Sequence, residues 1–314
     1  GKAAGDGWFG FLYLKAIVFH RSLDMKLVAP EFAPYFGTMG PGNHMPNRCP
    51  FGPVIWWMPF YLLSLAVEWV ARHFHWVSGP IGQGRINIWI TGLSSLGGAL
   101  IGWRALFALI ARHFGPDSAR LGAMTAVLAT PLLWYAAHHP FYQHALAFMA
   151  VSVLIEYWDR TRGDARLRRF LWLGLVGGFA MSIRSQEALY LLIPGAEVLY
   201  RVFCGPTRGK WFRAGVLYCL ATAFLPQALA WVYYTGTVSA PQQEPIRWGT
   251  PFILMTLFST RGGLFAWTPL LYAATAALCY LRRATKQART LVWALLAVFI
   301  VELYIVSAAW VVSA

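Results

Sequence analysis

Charge is what this sequence has least of. Only 12% of its 314 residues are Asp, Glu, Lys or Arg, against roughly 25% in an ordinary soluble domain, and 58% are hydrophobic. That excludes a water-soluble globular protein. No charged side chain occurs between Arg120 and Glu156, or between Arg213 and Glu244, and each gap exceeds the ~20 apolar residues that one bilayer-crossing helix needs. Cysteine is also scarce. Cys49, Cys204, Cys219 and Cys279 form no CxxC pair and no Cys/His cluster with zinc spacing, so neither a disulfide framework nor a structural metal is indicated and they read as packing residues. Internal repeats, low-complexity tracts, a signal peptide and a lipidation motif are all missing. The glycine-rich start without Met and the apolar finish at Trp310 to Ala314 read as truncations.

What is present is a series of apolar segments. Eight are expected to span the membrane, near 86 to 110, 119 to 137, 141 to 158, 170 to 184, 187 to 203, 213 to 234, 263 to 281 and 290 to 312. The formal charge of +14 would suggest nucleic acid in a soluble protein, but here the positive residues lie in short loops, where membrane orientation explains them and no nucleic-acid partner is implied. The loops around 112 to 120, 159 to 169, 201 to 213 and 282 to 289 hold 15 Lys/Arg, whereas the opposite loops hold three, Arg184, Arg247 and Arg261. The Arg-rich loops are therefore expected to be cytoplasmic and the others external. The run Pro53 to Ala71 is long enough to span but carries Pro53, Pro59, Glu68 and many aromatics, which favours a helix in the interface. The fold expected is thus an all-α polytopic membrane protein, with residues 1 to 85 an external segment of interfacial helices and 86 to 314 a bundle of about eight transmembrane helices.

Several polar residues interrupt this pattern. Asp6, between two glycines and before an aromatic run, could serve as a general base at the membrane surface or be an ordinary turn Asp. Asp24 and Glu31 lie in the same external stretch and are the alternatives. Arg184, Gln186 and Glu187 break an apolar hairpin, which is costly in lipid unless a cavity or partner receives them; a capped hairpin turn is the plainer reading. In the outer loop, Arg247 and Arg261 with Ser259, Gly262 and Gly263 suit a phosphate, because a guanidinium offers two parallel donors to its oxygens. His138, His139, Tyr142 and His144 flank Pro140 at an outer hairpin. The histidines read as interfacial hydrogen-bonding groups in preference to metal ligands.

In this order the residues resemble the GT-C superfamily of membrane glycosyltransferases, the bacterial branch that includes protein O-mannosyltransferases and lipid A aminoarabinose transferases. The stretches that carry the resemblance are Gly5-Asp6-Gly7 with Ser22-Leu23-Asp24, Asn47 to Pro53 before Trp56 and Trp57, Pro140 to Ala145, Arg184-Ser185-Gln186, and, most specifically, Leu257 to Pro269. Arg184 is followed by Ser185 where the family has Pro, and His20-Arg21 replace acidic residues. The resemblance implies transfer of a sugar from a polyprenyl-phosphate carrier to a hydroxyl on a glycan, lipid or protein acceptor, with inversion. Asp6 and Asp24 would then be catalytic, and Tyr142, His144, Arg184, Gln186, Glu187, Arg247 and Arg261 would bind substrate. A divalent metal is compatible with the resemblance, although no ligand set for one is indicated. The setting implied is a bacterial inner membrane with the site on the periplasmic or exterior face. A secondary transporter and a non-catalytic glycolipid-binding subunit are the rival readings.

The loop charges predict that, with the four native cysteines replaced, a Gln243→Cys variant is labelled from outside intact cells. Asp164→Cys should be labelled only after permeabilisation. Equal labelling of both would refute the topology.

Overall fold

In the computed structural model, residues 6–32, 41–47, 49–238 and 246–309 are described, without the side chains of Asp6 and Arg282. Among the described residues every regular element is helical. The α-helices are α1 (Asp6–His20), α2 (Gly52–His73), α3 (Arg85–Phe114), α4 (Pro116–Leu128), α5 (Leu132–Ala137), α6 (His144–Arg160), α7 (Leu167–Ile183), α8 (Leu192–Cys204), α9 (Arg208–Thr222), α10 (Leu225–Thr235), α11 (Ile253–Phe258), α12 (Leu264–Trp267), α13 (Leu270–Ala277) and α14 (Lys286–Ala309). Among the described residues three helices, α2, α3 and α14, are long and apolar enough to cross a membrane, and α9 with α10 makes a fourth if that bent pair is one span.

Among the described residues the eight expected spans are not seen as eight continuous helices, and the reasons are local. Helices α6 and α7 have 17 residues each, or about 26 Å at 1.5 Å per residue. The segment expected as one helix at 119 to 137 is divided between α4 and α5 before Pro131, since the residue preceding a proline avoids helical backbone. The α9–α10 pair bends by 45°. Pro226 has no N–H to give the Thr222 carbonyl, which accepts from Phe224 N at 2.7 Å instead. The segment from 263 to 281 is broken at Thr268-Pro269 and ends as a 3-10 turn. By contrast α2 runs unbroken through Pro59.

Helices α2 and α3 pack antiparallel, whereas α3 with α6 and α7 with α9 run side by side in the same direction. Helix α2 lies along the first half of α3: Trp56 Nε1 donates to the Ser94 carbonyl at 3.0 Å and Trp57 Nε1 to Ser95 Oγ at 2.8 Å. The second half of α3 lies against α6. Small residues set the spacing, because backbones that approach closely leave no room for a Cβ. A Cβ on Gly102 would lie 2.7 Å from the Phe148 ring and 2.9 Å from Met149 Cα. Two apolar cores result. Phe11, Leu14, Trp57, Tyr61, Leu146, Ile183 and Tyr234 join α1 and α2 to the bundle. Leu154, Trp158, Phe170, Trp211, Tyr218 and Val298 join α6, α7, α9 and α14. Outward-facing Leu93, Leu100, Leu121, Trp172, Leu220 and Leu229 are all more than half exposed, a surface suited to lipid.

The Arg-rich loops gather at one end, where buried acids bind them. Asp159 accepts from Arg112 at 2.8 Å and Arg162 at 2.9 Å, with His113 Nε2 also 2.9 Å away. Glu197 accepts from Arg169 at 2.7 Å, Trp158 Nε1 at 2.8 Å and Gly163 N at 2.8 Å. This clamp ties α3, α6, α7 and α8 together.

Gly102→Val should destabilise the α3–α6 contact by about 1–3 kcal/mol, the usual cost of overpacking. Gly97→Ala, on the same helix with open space around it, should be neutral or stabilising by up to about 1 kcal/mol. Thermal midpoints in detergent check both, and an unchanged midpoint for Gly102→Val would contradict the packing.

Candidate functional site

Helix α7 ends at Ile183 because Arg184 turns extended, with φ −147° and ψ 127°. The chain then continues as a 3-10 segment, Ser185–Leu191. The break expected at Arg184-Gln186-Glu187 is therefore present, and it opens beside the start of α6. One Arg184 guanidinium nitrogen lies 3.2 Å from His144 Nδ1. Arginine can only donate, so Nδ1 accepts and the imidazole proton sits on Nε2. Tyr135 packs on the His144 ring with centroids 4.0 Å apart, and Tyr142 lies parallel to it at 6.4 Å. His144, Ser152, Arg184, Glu187 and Tyr190 line a cavity of about 220 Å³.

Glu187 is the exceptional member. It is buried, yet among the described residues its carboxyl group has neither an ion pair nor a hydrogen bond. Arg184 lies within electrostatic reach, and so does Glu302 of α14, a helix that packs against 185–191. The Arg184 guanidinium likewise has no carboxylate partner at salt-bridge distance among the described residues. Both groups are thus available to a ligand in the cavity.

Helix α1 meets this cluster at its first turn. A Cβ on Gly7 would lie 3.0 Å from the Phe141 carbonyl carbon and 3.0 Å from the Tyr142 ring, so a side chain there would have to push one of them aside. Asp6, the preceding residue, opens the helix, and its carboxyl group lies outside the described part. Residues 7, 142, 144, 184 and 187, spread over most of the chain, thus come together.

Asp24 occupies a separate polar cluster. Its Oδ1 accepts from Lys26 N at 3.0 Å and Met45 N at 2.9 Å, and its Oδ2 lies 3.2 Å from His44 Nδ1. His44 stacks on Tyr233 with centroids 4.3 Å apart, and the Tyr233 hydroxyl lies 2.9 Å from Ser22 Oγ. Burial pushes the Asp24 carboxyl up, but the two backbone donors and His44 outweigh it and hold it below its usual range. The carboxylate ties residues 24–26 to 44 and 45, and His44 on Tyr233 carries the contact to α10. Glu31 is exposed in the short turn Pro30–Phe32.

The remaining expected residues do not join the cavity. Gln186 is half-buried next to it. Arg247 and Arg261 are exposed, Arg247 donating its backbone N–H to Ala308 at 2.9 Å and Arg261 its own to Ser259 Oγ at 3.2 Å. Glu244 lies outside the described residues. His139 stacks on Trp134 at 4.1 Å, and among the described residues no three His, Cys, Asp or Glu side chains converge as a metal site would require. Sequence reasoning passed over Asp159, Glu197 and Tyr190; the first two carried a signal as acids at the end of one apolar helix and in the middle of another. No family model matches the chain, and neither curated proteins nor solved structures provide a match.

Because the folded pKa of Asp24 lies below its unfolded value near 3.9, its stabilisation is present above about pH 4 and is lost as pH falls through the folded value. Asp24→Asn should cost about 1.5–3 kcal/mol at pH 7, and the gap in melting temperature from wild type should close below pH 4. A gap that does not depend on pH would refute the ionised state.

Proposed function

We propose that the chain is a membrane glycosyltransferase that moves a sugar from a polyprenyl-phosphate carrier to an acceptor hydroxyl outside the membrane, with inversion. The observation that carries this reading is the convergence around one cavity of Arg184, His144 and buried Glu187, which has no direct partner among the described residues, with Tyr142 stacked on His144 and in turn against the first turn of α1. The acceptor oxygen attacks the anomeric carbon, the bond from that carbon to the phosphate oxygen breaks, and the departing phosphate takes the electron pair. Arg184 neutralises the charge gained by the phosphate. Asp6 accepts the acceptor's proton, and Glu187 faces the positive charge that develops on the sugar ring. Arg247 and Arg261 approach the carrier from the outer loop, and Asp24 holds the segment that follows α1.

The accompanying topology has eight crossings, some made by paired short helices, with residues 1 to 85 external. The collection of Arg-rich loops at the opposite end supports a cytoplasmic face there. On this reading the protein resides in a bacterial inner membrane with the cavity towards the periplasm.

Transfer should be measured with a polyprenyl-phosphate sugar in reconstituted vesicles. Asp6→Asn should lower the rate by about 10² to 10⁴ while leaving carrier binding intact. Arg184→Lys keeps the charge but loses the fork and should weaken carrier binding. Wild-type transfer by Asp6→Asn would move the base elsewhere, and unchanged carrier binding by Arg184→Ala would reject the phosphate site.

A further inference from the structure

A second cavity lies at the opposite end of the bundle, between α6 and α7. It has a volume of about 480 Å³. Because the two helices are joined by the loop 161 to 166, the register orders its lining. Val153, Leu154, Leu173 and Val176 stand deep between the helices, whereas Arg160 and Arg168 stand at the loop end, with Tyr157 and Trp172 between. The groove is therefore apolar inside and basic at its mouth. Trp172 is 56% exposed, as suits an aromatic side chain at headgroup level.

The charges at the mouth do not cancel. Glu156 also lines the groove, but Arg112 holds it at 2.6 Å, and Asp159 is held by Arg112 and Arg162. Arg160 reaches Glu156 only through Nε, at 3.3 Å. Arg168 is exposed and has no hydrogen bond or ion pair among the described residues. The guanidinium groups of Arg112, Arg160, Arg162 and Arg168 thus face two carboxylates, leaving an excess of two positive charges beside an apolar slot.

We propose that this groove binds an anionic phospholipid, with one acyl chain between α6 and α7 and the phosphate on Arg168 and Arg160. The complementarity is twofold. An alkyl chain fills a slot that water would occupy poorly, and a phosphodiester meets Arg168, a loop-end guanidinium with no hydrogen bond or ion pair among the described residues. The proposal rests on the chain being embedded in a membrane and is independent of sugar transfer.

The test uses the full chain in detergent, equilibrated with phosphatidylglycerol or phosphatidylcholine of identical acyl chains, with retained lipid counted by native mass spectrometry. Wild type should retain phosphatidylglycerol in preference. The double variant Arg160→Gln/Arg168→Gln should reduce that retention on the order of tenfold, whereas Arg208→Gln/Lys210→Gln, in another exposed basic loop, should not. Filling the slot with Val176→Trp should reduce retention with the arginines intact. Equal retention of the two lipids, or an equal loss in both double variants, would overturn the proposal. So would displacement of the lipid by millimolar inorganic phosphate, which would make this an anion site without a lipid role.

Discussion

A carboxylate placed inside an apolar helical bundle has to meet a cation or a set of donors, because without them its desolvation cost has no compensation. The fold obeys this constraint almost everywhere. Glu68 accepts from Arg72 at 2.6 Å and from Gly82 N at 2.8 Å, locking the turn between α2 and α3. Asp159 and Glu197 close the opposite end of the bundle in the same way, each joining at least two helices. Asp24 does so with two backbone N–H groups and His44. Against that background Glu187 stands apart, buried in a cavity with Arg184 and without a direct partner among the described residues.

This division separates the two ends of the molecule. At the Arg-rich end each buried acid is satisfied, so that end holds α3, α6, α7 and α8 in fixed relation. At the other end α7 stops short, the chain tightens into a 3-10 segment, and the freed volume is lined by Glu187, which has no direct partner among the described residues, and by Arg184, which meets His144 and no carboxylate there. Close helix contacts through glycine make the difference consequential. With Gly102 against Met149 and Gly174 2.8 Å, at Cβ, from the Tyr218 carbonyl, the bundle cannot collapse into the cavity by small shifts.

Helix content and the break at Arg184 were legible in the sequence because both follow from local rules: apolar runs without charge, and a costly Arg-Glu interruption. His144 and Tyr142 were legible only as candidates, since their meeting with Arg184 depends on how α6 and α7 pack. The charge clamp was hidden for the same reason. Asp159 and Glu197 are 38 positions apart in a chain whose loops read merely as basic. Helix lengths misled, because hydrophobicity does not register a Pro131 or a Pro226 until backbone hydrogen bonds are counted. Arg247 and Arg261 stood out by residue type, but that both lie exposed and outside the lining of the Arg184 cavity depends on the fold.

The central claim is that paired acids hold the fold while Glu187 serves the ligand. Its most direct test compares Glu187→Gln with Glu197→Gln, measuring melting temperature and sugar transfer on the same preparations. The account predicts that Glu187→Gln melts at or above the wild-type temperature and loses transfer, whereas Glu197→Gln melts well below it. A Glu187→Gln protein that unfolds as readily as Glu197→Gln, yet transfers sugar normally before it does, would contradict it.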